Sequence, residues 1–274
     1  MFASKKYVDE TLKKYNLVAN KALGQNFLVE QDIALEIVDN ANIDKDTFVI
    51  EIGPGLGALS EIIVDRCAYL KAFEIDANMA RILNESIKND NFKVINIDFL
   101  KVDLDNLINS IKHKKIVVIS NLPYYITSKL LNKLLINDYR INTIVAMMQK
   151  EVGKKIYSPD KKDINQLSAI LSYQYDVSIV KYVGKNSYLP RPEIDSIVLK
   201  FEKVSPKYDV SFEKLILLTN YIYATRRKTV YNNLKPLFNN QEKLIECLKM
   251  CNIDTNMHIE QLNMDNIVDL CKYI

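Results

Sequence analysis

Short apolar blocks alternate with amphipathic segments through the first 150 residues of the chain. The apolar blocks are rich in β-branched residues and predict buried strands over 47–52, 68–75, 92–97, 115–120 and 141–149. The amphipathic segments carry apolar residues at helical spacing and predict helices over 29–43, 56–67, 77–89 and 128–137. This alternation predicts an α/β fold in which helices cover both faces of a parallel sheet.

The pattern changes after residue 150. A helix is predicted over 165–175, and two further strands, 177–183 and 196–202, are expected to pair at one edge of the sheet. Helical spacing then returns over 212–225, 242–251 and 264–274. We therefore predict an α/β domain over 1–204, which starts with a basic segment in the form of a polar helix or a loose arm, and a small all-helical domain over 205–274.

The composition supports a sizeable core and a mildly basic surface. The chain has 274 residues, of which 48% are hydrophobic, and a formal net charge of +3. That charge permits a nucleic-acid partner without requiring one. Basic residues are clustered at Lys5–Lys6, Lys13–Lys14, Lys112 with Lys114–Lys115, Lys154–Lys155, Lys161–Lys162 and Arg226–Arg227–Lys228. Any one such cluster, taken alone, is most simply solvated surface.

Cysteine and histidine usage argues against a metal site. The four cysteines and two histidines form no pair of CxxC motifs and no HExxH motif. Cys247 and Cys251, four positions apart, are expected to be core-facing thiols of one helix. The sequence has neither a signal-peptide pattern nor an apolar run of about 18 residues. We therefore expect a cytoplasmic protein with reduced thiols, no bound metal and no membrane segment.

A glycine-rich loop joins the first predicted strand to the helix that follows it. Gly53, Gly55 and Gly57 lie in the sequence VIEIGPGLGALS, where glycine allows a tight turn and close approach of the backbone to a ligand. The free N–H groups of the following helix can add hydrogen bonds to that ligand. The pattern Gly-x-Gly-x-x-Ala predicts a cofactor that contains adenosine, but it does not distinguish a nicotinamide dinucleotide from S-adenosylmethionine.

Acidic residues at three successive strands favour a cationic cofactor. Glu51 lies two positions before Gly53, where a carboxylate suits an ammonium or sulfonium group better than a pyrophosphate. Glu74 ends the next strand and can accept both hydroxyls of a ribose. Asp98 follows a third strand and can accept the adenine amino group, with Phe99 packed on the ring. Asp98 also fits a helix N-cap.

The fourth predicted strand ends in Asn121-Leu122-Pro123-Tyr124. An exocyclic adenine amine is a weak nucleophile because its lone pair is delocalised into the ring. Two acceptors, the Asn121 side-chain oxygen and the Leu122 carbonyl, would favour a pyramidal nitrogen. They would also stabilise the positive charge that develops on this nitrogen if it accepts a methyl group from a sulfonium cofactor. Pro123 holds Leu122 extended, and Tyr124 offers a face on which a splayed base can stack. The alternative is an Asx-type turn with core tyrosines, and Tyr125 is expected to pack beneath the loop.

Together these motifs resemble those of the small-subunit ribosomal RNA adenine N6-dimethyltransferases, over nearly the whole chain. The segments that carry the resemblance are KALGQNFL, EIGPGLGALS, FEID, NLPYYI, MMQKEV, YLPRPEIDSIV and RRKTVYNNLK. The resemblance implies a Rossmann-like methyltransferase sheet, an all-helical C-terminal domain and S-adenosylmethionine as cofactor. It also implies dimethylation of two adjacent adenosines in the 3′-terminal hairpin of 16S rRNA, with a role in small-subunit biogenesis.

The resemblance implies roles for individual residues. Those implied in cofactor binding are Asn26, Leu28, Gly53, Glu74, Asp98 and Asn121. Those implied in catalysis are Asn121, Leu122, Tyr124 and Tyr188. Tyr188 would sandwich the target base at a position where Phe is expected, so its hydroxyl needs a partner of its own. Packing in a proline-rich loop is the alternative for Tyr188.

The implied partner is small-subunit rRNA in an assembling subunit. Arg226, Arg227 and Lys228 would contact its backbone, and we expect the chain to be a monomer. The alternatives are methylation of large-subunit rRNA with macrolide resistance, a non-catalytic nucleic-acid-binding role, and NAD-dependent oxidation. The intact sequence Asn-Leu-Pro-Tyr argues against loss of chemistry.

Overall fold

The apolar blocks form strands in the structure, a computed structural model that describes residues 1–137, 139–157 and 164–274. The Lys161–Lys162 cluster lies outside the described residues. The strands are β1 (Phe27–Leu28), β2 (Thr47–Ile52), β3 (Tyr69–Glu74), β4 (Phe92–Asn96), β5 (Lys115–Asn121), β6 (Thr143–Gln149), β7 (Tyr175–Val183), β8 (Tyr188–Leu189) and β9 (Ser196–Lys203).

Amphipathic segments form most of the helices. The helices are α1 (Lys5–Lys14), α2 (Gln31–Asn40), α3 (Ser60–Ile63), α4 (Ala77–Ser86), α5 (Leu104–Ser110), α6 (Thr127–Leu135), α7 (Lys150–Tyr157), α8 (Gln166–Gln174), α9 (Phe212–Ile222), α10 (Val230–Leu234), α11 (Gln241–Met250) and α12 (Met264–Cys271). Helix α3 is shorter than the predicted segment 56–67, because turns of the glycine loop take its first residues. The N-terminal basic segment is a helix, capped by the Ser4 side chain, rather than a loose arm.

Residue contacts divide the chain into two units. The first comprises residues 1–134, 139–157 and 177–203, and the second comprises the rest of the described chain. Helix α8 belongs with the C-terminal helices, although the sequence places it in the α/β domain. Gln166 on α8 donates from Nε2 to Asn220 Oδ1 on α9, at 2.8 Å.

The sheet of the first unit has the strand order β4-β3-β2-β5-β6-β9-β7. Strands β2 to β6 run parallel to their neighbours, whereas β9 is antiparallel to β6, so the sheet is mixed. The predicted pairing of the last two strands at one edge is confirmed. Parallel strands end at a common edge, which brings Glu74, Asn121 and Gln149 to the same side of the unit.

Helices α2, α3 and α4 pack their apolar side chains on one face of the sheet. Ile37, Ile63 and Leu83 lie in one buried cluster with Val49 of β2 and Val117 of β5. On the other face, Phe73 of β3 packs edge-on against Phe99, with ring centroids 5.2 Å apart. The strands are therefore buried on both faces, as their continuous apolar pattern predicts.

A small second sheet joins the N-terminal segment to the proline-rich loop. Strands β1 and β8 are antiparallel, with Phe27 opposite Leu189 and Leu28 opposite Tyr188. The ladder continues through Val29, whose N–H donates to the Ser187 carbonyl at 2.9 Å. Two-residue strands carry too little alternation to be predicted from sequence, so this pairing was not expected.

The second unit is helical in its described residues. Asn233 on α10 donates from Nδ2 to the carbonyls of Ile222 and Thr225, at 2.8 and 3.0 Å, and so fixes the turn after α9. Cys247 and Cys251 are both buried, as their spacing predicts, and the four cysteines are free thiols. Across the described residues, every helix is too short or too polar to span a bilayer.

Gly153 on α7 provides a test of how tightly this helix packs on β9. A Cβ at Gly153 would lie 2.2 Å from Ile197 Cγ2. Helix propensity alone favours Ala over Gly by about 1 kcal/mol, but overpacking costs about 1–3 kcal/mol. We expect Gly153→Ala to lower the free energy of unfolding, measured by urea denaturation. Gly184→Ala is the control, since a Cβ there meets nothing within 4 Å; equal effects of the two changes would contradict the prediction.

Candidate active site

The carboxyl ends of the parallel strands and the N-terminal segment enclose a cleft in the first unit. Its empty volume is about 870 Å³, part of it open to solvent. Among the residues that the sequence predicts for the site, the cleft is lined by Asn26, Leu28, Gly53, Glu74, Asn121, Leu122 and Tyr124. Asp98 and Tyr188 are not among its lining residues. The parallel sheet therefore brings seven of the nine predicted residues to one place.

The glycine loop forms the floor of the cleft. Gly53 and Gly55 have φ angles of 65° and 57°, in the left-handed region that favours glycine. A Cβ at Gly55 would lie 3.3 Å from the Phe27 ring, so a side chain there would meet the N-terminal segment. The loop thus needs glycine both for its backbone angles and for the close approach of β1.

Glu74 is the buried carboxylate of the cleft. Its Oε2 accepts from the Gly55 N–H at 3.0 Å, and its Oε1 accepts from the Asp76 N–H at 2.9 Å. Burial raises the pKa of Glu74, while these two backbone donors oppose the rise. A carboxylate has about four acceptor sites, so each oxygen retains capacity for one more donor, as a ribose diol requires.

Glu51 is a second, more deeply buried acid in the same cleft. The side chain is 1% exposed, and Oε2 accepts from Ser60 Oγ–H at 2.6 Å. Burial raises the pKa of Glu51 to about 8, and the nearby charge of Glu74 adds to the rise. At neutral pH Glu51 is therefore mostly protonated in this structure, and a cationic ligand group beside it would favour the ionised form.

Gln25 ties the N-terminal loop to the end of β3. Its Oε1 accepts from the Asn20 N–H, and its Nε2 donates to Asp76 Oδ2, both at 2.8 Å. Asp76 in turn caps α4 by accepting from the Asn78 N–H. Gln25 thus bridges two segments that border the cleft, rather than being only a loop amide.

Asp98 caps a helical turn. Its Oδ1 accepts from the Leu100 N–H at 2.9 Å, at the start of the 3-10 turn Phe99–Lys101. The N-cap alternative is therefore confirmed. Burial raises the pKa of Tyr125 and the charge of Asp98 adds to the rise, so Asp98 lies within electrostatic range of the loop that follows β5. A contact between Asp98 and adenine stays a prediction.

Asn121 ends β5 with its amide directed across the cleft. Its Nδ2 donates to the Asn26 carbonyl at 3.4 Å, which leaves Oδ1 as the acceptor of the side chain. Leu122 follows with its side chain 2% exposed and its N–H bonded to the Met147 carbonyl at 2.9 Å. The backbone of this loop is thereby attached to β6, and the extended conformation before Pro123 follows from the proline ring.

The two tyrosines of the loop differ in their surroundings. Tyr124 is part-buried, and its hydroxyl lies 2.7 Å from Ser196 Oγ. Tyr125 is 55% exposed and lies against the N-terminal loop, where a Cβ on Gly24 would be 3.5 Å from its ring. The expectation that Tyr125 packs beneath the loop is therefore wrong, since more than half of its side chain is exposed and its contact is with the N-terminal loop.

Tyr188 lies in the core. Its side chain is 3% exposed, and its hydroxyl donates to Met147 Sδ at 2.9 Å. Burial is the main reason that the pKa of Tyr188 is strongly raised. This position fits the packing alternative, and direct stacking on a base would require the ring to leave the core.

A second cavity adjoins the first. Tyr124, Asn26 and Gly24 line both. The remaining lining residues of the second cavity include Gln149 at the end of β6 and the loop 190–194. The Tyr124 ring therefore stands at the border between a cofactor-sized cleft and an outer cavity that can admit a second molecule.

Sequence reasoning gave no role to Ile75, Gln149 or the loop 190–194, although each lies in a motif that carries the resemblance. Ile75 is 45% exposed and lines the main cleft directly after Glu74, where it offers an apolar surface for a planar ring. An aliphatic residue directly after an acidic strand end is the signal that could have identified it. Gln149 ends a strand just as Asn121 does, so it too lies at the carboxyl edge of the sheet, where ligands bind.

The residues present fit S-adenosylmethionine. Glu74 offers acceptors for the ribose, Ile75 an apolar surface for adenine, and Glu51 a buried acid for the cationic part. The glycine loop provides the close backbone approach. Among the residues that the structure describes, no lysine or arginine lines the cleft, which suits a cationic cofactor better than a pyrophosphate.

The chain is similar in sequence to known methyltransferases. The family model described as Ribosomal RNA adenine dimethylase matches residues 16–274. The Ribosomal RNA small subunit methyltransferase A of Macrococcus caseolyticus is 38% identical over 271 residues, which cover 95% of this chain and 92% of that protein. The protein of the same name from Clostridium acetobutylicum is 35% identical, over 93% of this chain and 94% of its own length.

Solved structures share the fold. A dimethyladenosine transferase from Plasmodium falciparum superposes with a TM-score of 0.69 at 22% identity, covering 89% of this chain and 95% of that one. The 23S rRNA methyltransferase ErmE superposes with a TM-score of 0.66 at 19% identity, covering 90% and 99%. The sequence matches confirm the resemblance drawn from the motifs, and the structural matches confirm the fold class.

Glu51 predicts how stability depends on pH. Its pKa is about 8 in the folded chain against 4.5 for an ordinary Glu, so the protonated form stabilises the fold and this contribution is lost as pH rises towards 8. We expect Glu51→Gln to gain stability relative to the wild type between pH 5 and pH 8, by on the order of 3–5 kcal/mol, and then to level off.

Urea denaturation of both proteins at pH 5, 7 and 9, without cofactor, measures this difference. Glu30→Gln is the control, since Glu30 is exposed and makes no side-chain bond at the start of α2. A difference between Glu51→Gln and wild type that stays constant from pH 5 to pH 9 would contradict the prediction.

Proposed function

The chain belongs to the ribosomal RNA adenine dimethylase family, and we propose that it dimethylates N6 of two adjacent adenosines in the 3′-terminal hairpin of 16S rRNA. Its methyl donor is S-adenosylmethionine. The observation that carries the proposal is the position of Asn121 and Tyr124. Both line the cofactor-sized cleft, and Tyr124 also lines the outer cavity.

The cofactor would be held by the groups that line the main cleft. The Glu74 carboxylate would accept the ribose hydroxyls, and Ile75 would pack on the adenine. Glu51 would lie near the cationic end, where a positive charge lowers the cost of ionising a buried carboxyl. Asn26 and Leu28 would cover the cofactor from the N-terminal segment, which β1 holds through its pairing with Tyr188. Bound there, the cofactor supplies an electrophilic methyl group.

The chain's own residues would prepare the target amine. Asn121 Oδ1 and the Leu122 carbonyl would accept from the two N–H groups of the adenine, which favours a pyramidal nitrogen whose lone pair points to the methyl group. The same acceptors stabilise the positive charge that the nitrogen gains as the methyl–sulfur bond breaks. A proton then leaves the nitrogen to solvent, and the monomethylated amine can react once more.

The outer cavity would hold the target base after it leaves its stack. The Tyr124 ring offers a stacking face at the border with the cofactor cleft, and Gln149 lines the same cavity with an amide that can hydrogen-bond to a base. The second unit would contact the RNA backbone through Arg226, Arg227 and Lys228, which are exposed in the turn between α9 and α10.

Small-subunit RNA is favoured over large-subunit RNA by the sequence relatives. The proteins that are 35–38% identical are named small-subunit methyltransferases. The 23S rRNA methyltransferase is only 19% identical, which supports a common fold and no more. We propose that the chain acts in the cytoplasm as a monomer on an assembling small subunit. The non-catalytic and NAD-dependent alternatives have no observation in their favour.

Methylation of purified ribosomal subunits tests the proposed substrate. With S-adenosylmethionine labelled in its methyl group, we expect label in the small-subunit RNA, as dimethyladenosine at two neighbouring positions mapped by mass spectrometry. We expect Asn121→Ala to lower the turnover rate by about 100-fold or more, since removal of one polar group at a developing charge has this effect in other enzymes. RNA affinity should not change.

Asn84→Ala is the matched control, because Asn84 is exposed on α4 and only its backbone carbonyl is bonded. Cofactor affinity, measured by calorimetry, separates a catalytic loss from a binding loss in Asn121→Ala. Label confined to large-subunit RNA would refute the proposed substrate, and full activity of Asn121→Ala would refute the proposed mechanism.

Salt dependence tests the RNA contacts of the second unit. We expect Arg227→Gln combined with Lys228→Gln to weaken RNA binding and to reduce the slope of log affinity against log salt by about 1.4 to 1.8, from two lost phosphate contacts. Lys243→Gln with Lys249→Gln removes the same charge from exposed positions on α11 and is the control. Equal slopes in the two variants would show that net charge, rather than this turn, sets RNA affinity.

A further inference from the structure

The Tyr124 hydroxyl is directed away from the cleft and into the protein. Its oxygen lies 2.7 Å from Ser196 Oγ, and the Ser196 side chain is fully buried, with 0% exposure. Ser196 begins β9 and lies opposite Gln149, the last residue of β6. The far end of the Tyr124 ring is therefore bonded to a rigid strand, although the tyrosine itself lies in a loop.

Tyr188 lies near this pair. Burial raises the pKa of Tyr188, hydrogen bonding to Ser196 lowers it, and interaction with Tyr124 raises it further, so the three hydroxyls are neighbours. The Tyr188 hydroxyl donates its own proton to Met147 Sδ at 2.9 Å. The Tyr124 and Ser196 hydroxyls can each donate to the other, so each satisfies the other inside the protein.

Met147, the acceptor of the Tyr188 proton, also holds the catalytic loop. Met147 accepts from the Leu122 N–H through its carbonyl at 2.9 Å and lies opposite Asn121 in the parallel register. The loop is thus attached to the sheet at two points, by backbone at Leu122 and by side chain at Tyr124. One attachment fixes the amine acceptors, and the other fixes the ring.

The Tyr188 hydroxyl is satisfied inside the protein. A phenylalanine there would remove the bond to Met147 Sδ but would leave Ser196 paired with Tyr124. The Tyr188 hydroxyl therefore has a partner that explains it without a contact to the base. Its ring packs with Leu28 and Met147 in the core cluster beneath the loop.

We propose that Ser196 is a positioning residue that holds the Tyr124 ring at the angle on which the target base stacks. This inference rests on the proposed function, in which Tyr124 is the stacking surface. Ser196 is buried behind the ring and acts through the Tyr124 hydroxyl, so its contribution disappears when that hydroxyl is absent.

A double-mutant cycle on methylation tests this dependence. We expect Ser196→Ala and Tyr124→Phe each to lower the turnover rate about fivefold to tenfold, the effect of one hydrogen bond, with cofactor affinity unchanged. The double variant should be no slower than either single variant, because both changes remove the same bond. Ser196→Thr, which keeps the hydroxyl, should restore the rate.

Ser110→Ala is the matched control, since Ser110 Oγ donates only to the Leu107 carbonyl on the unrelated helix α5. It should leave turnover unchanged. Multiplied losses in the double variant would overturn the proposal, since Ser196 would then act independently of the Tyr124 hydroxyl.

Ring motion provides a readout that needs no activity. In protein labelled with 13C-tyrosine, the Tyr124 signals, assigned with Tyr124→Phe, should sharpen in Ser196→Ala as the ring flips faster. Unchanged Tyr124 signals would also overturn the proposal. A wild-type enzyme that methylates no ribosomal RNA would refute the proposed function instead, and the ring measurement would still decide whether Ser196 restrains Tyr124.

Discussion

The common edge at which the parallel strands end is the constraint on which the site depends. Strands β2, β3, β5 and β6 each end in a residue that lines a cavity or directly precedes one that does. The backbone register of these strands fixes the spacing of those residues, whatever their side chains are. A polar residue at the end of a buried apolar strand is therefore placed at this edge, and residues that are distant in sequence come together in one cleft.

That edge also carries an electrostatic cost. Glu51 and Glu74 are buried close enough for the charge of one to raise the pKa of the other. The backbone N–H groups of Gly55 and Asp76 stabilise Glu74, whereas within the described chain Glu51 has only the Ser60 hydroxyl and stays mostly protonated at neutral pH. A cation in the cleft would offset both burial penalties. The unfavourable placement of two acids in one cavity is thus consistent with a positively charged cofactor, and it would be difficult to explain as packing.

Most of the sheet and five of the nine predicted site residues follow from the sequence because apolar strands and the residues at their ends are local patterns. Asn26 and Leu28 line the cleft as well, but the family resemblance, and not a local pattern, pointed to them. Asp98 caps a 3-10 turn, the alternative that its sequence also allowed, whereas Tyr188 is drawn into the core by pairing with Leu28 in a two-residue strand, which depends on tertiary structure. The position of α8 was also beyond prediction, since periodicity identifies a helix but not the helices on which it packs.

The place of Tyr188 in a motif does not by itself determine what its side chain does. An aromatic ring in a proline-rich loop beside the catalytic strand suggests a stacking surface, and the motif alone cannot tell whether that ring faces outward. Here the surroundings of the Tyr188 hydroxyl show that the ring faces the core. A polar group at the end of a buried ring needs a partner, and the partner it has, Met147, also holds the backbone of Leu122. The hydroxyl that base stacking would not need is thereby satisfied on β6, the strand to which the catalytic loop is attached.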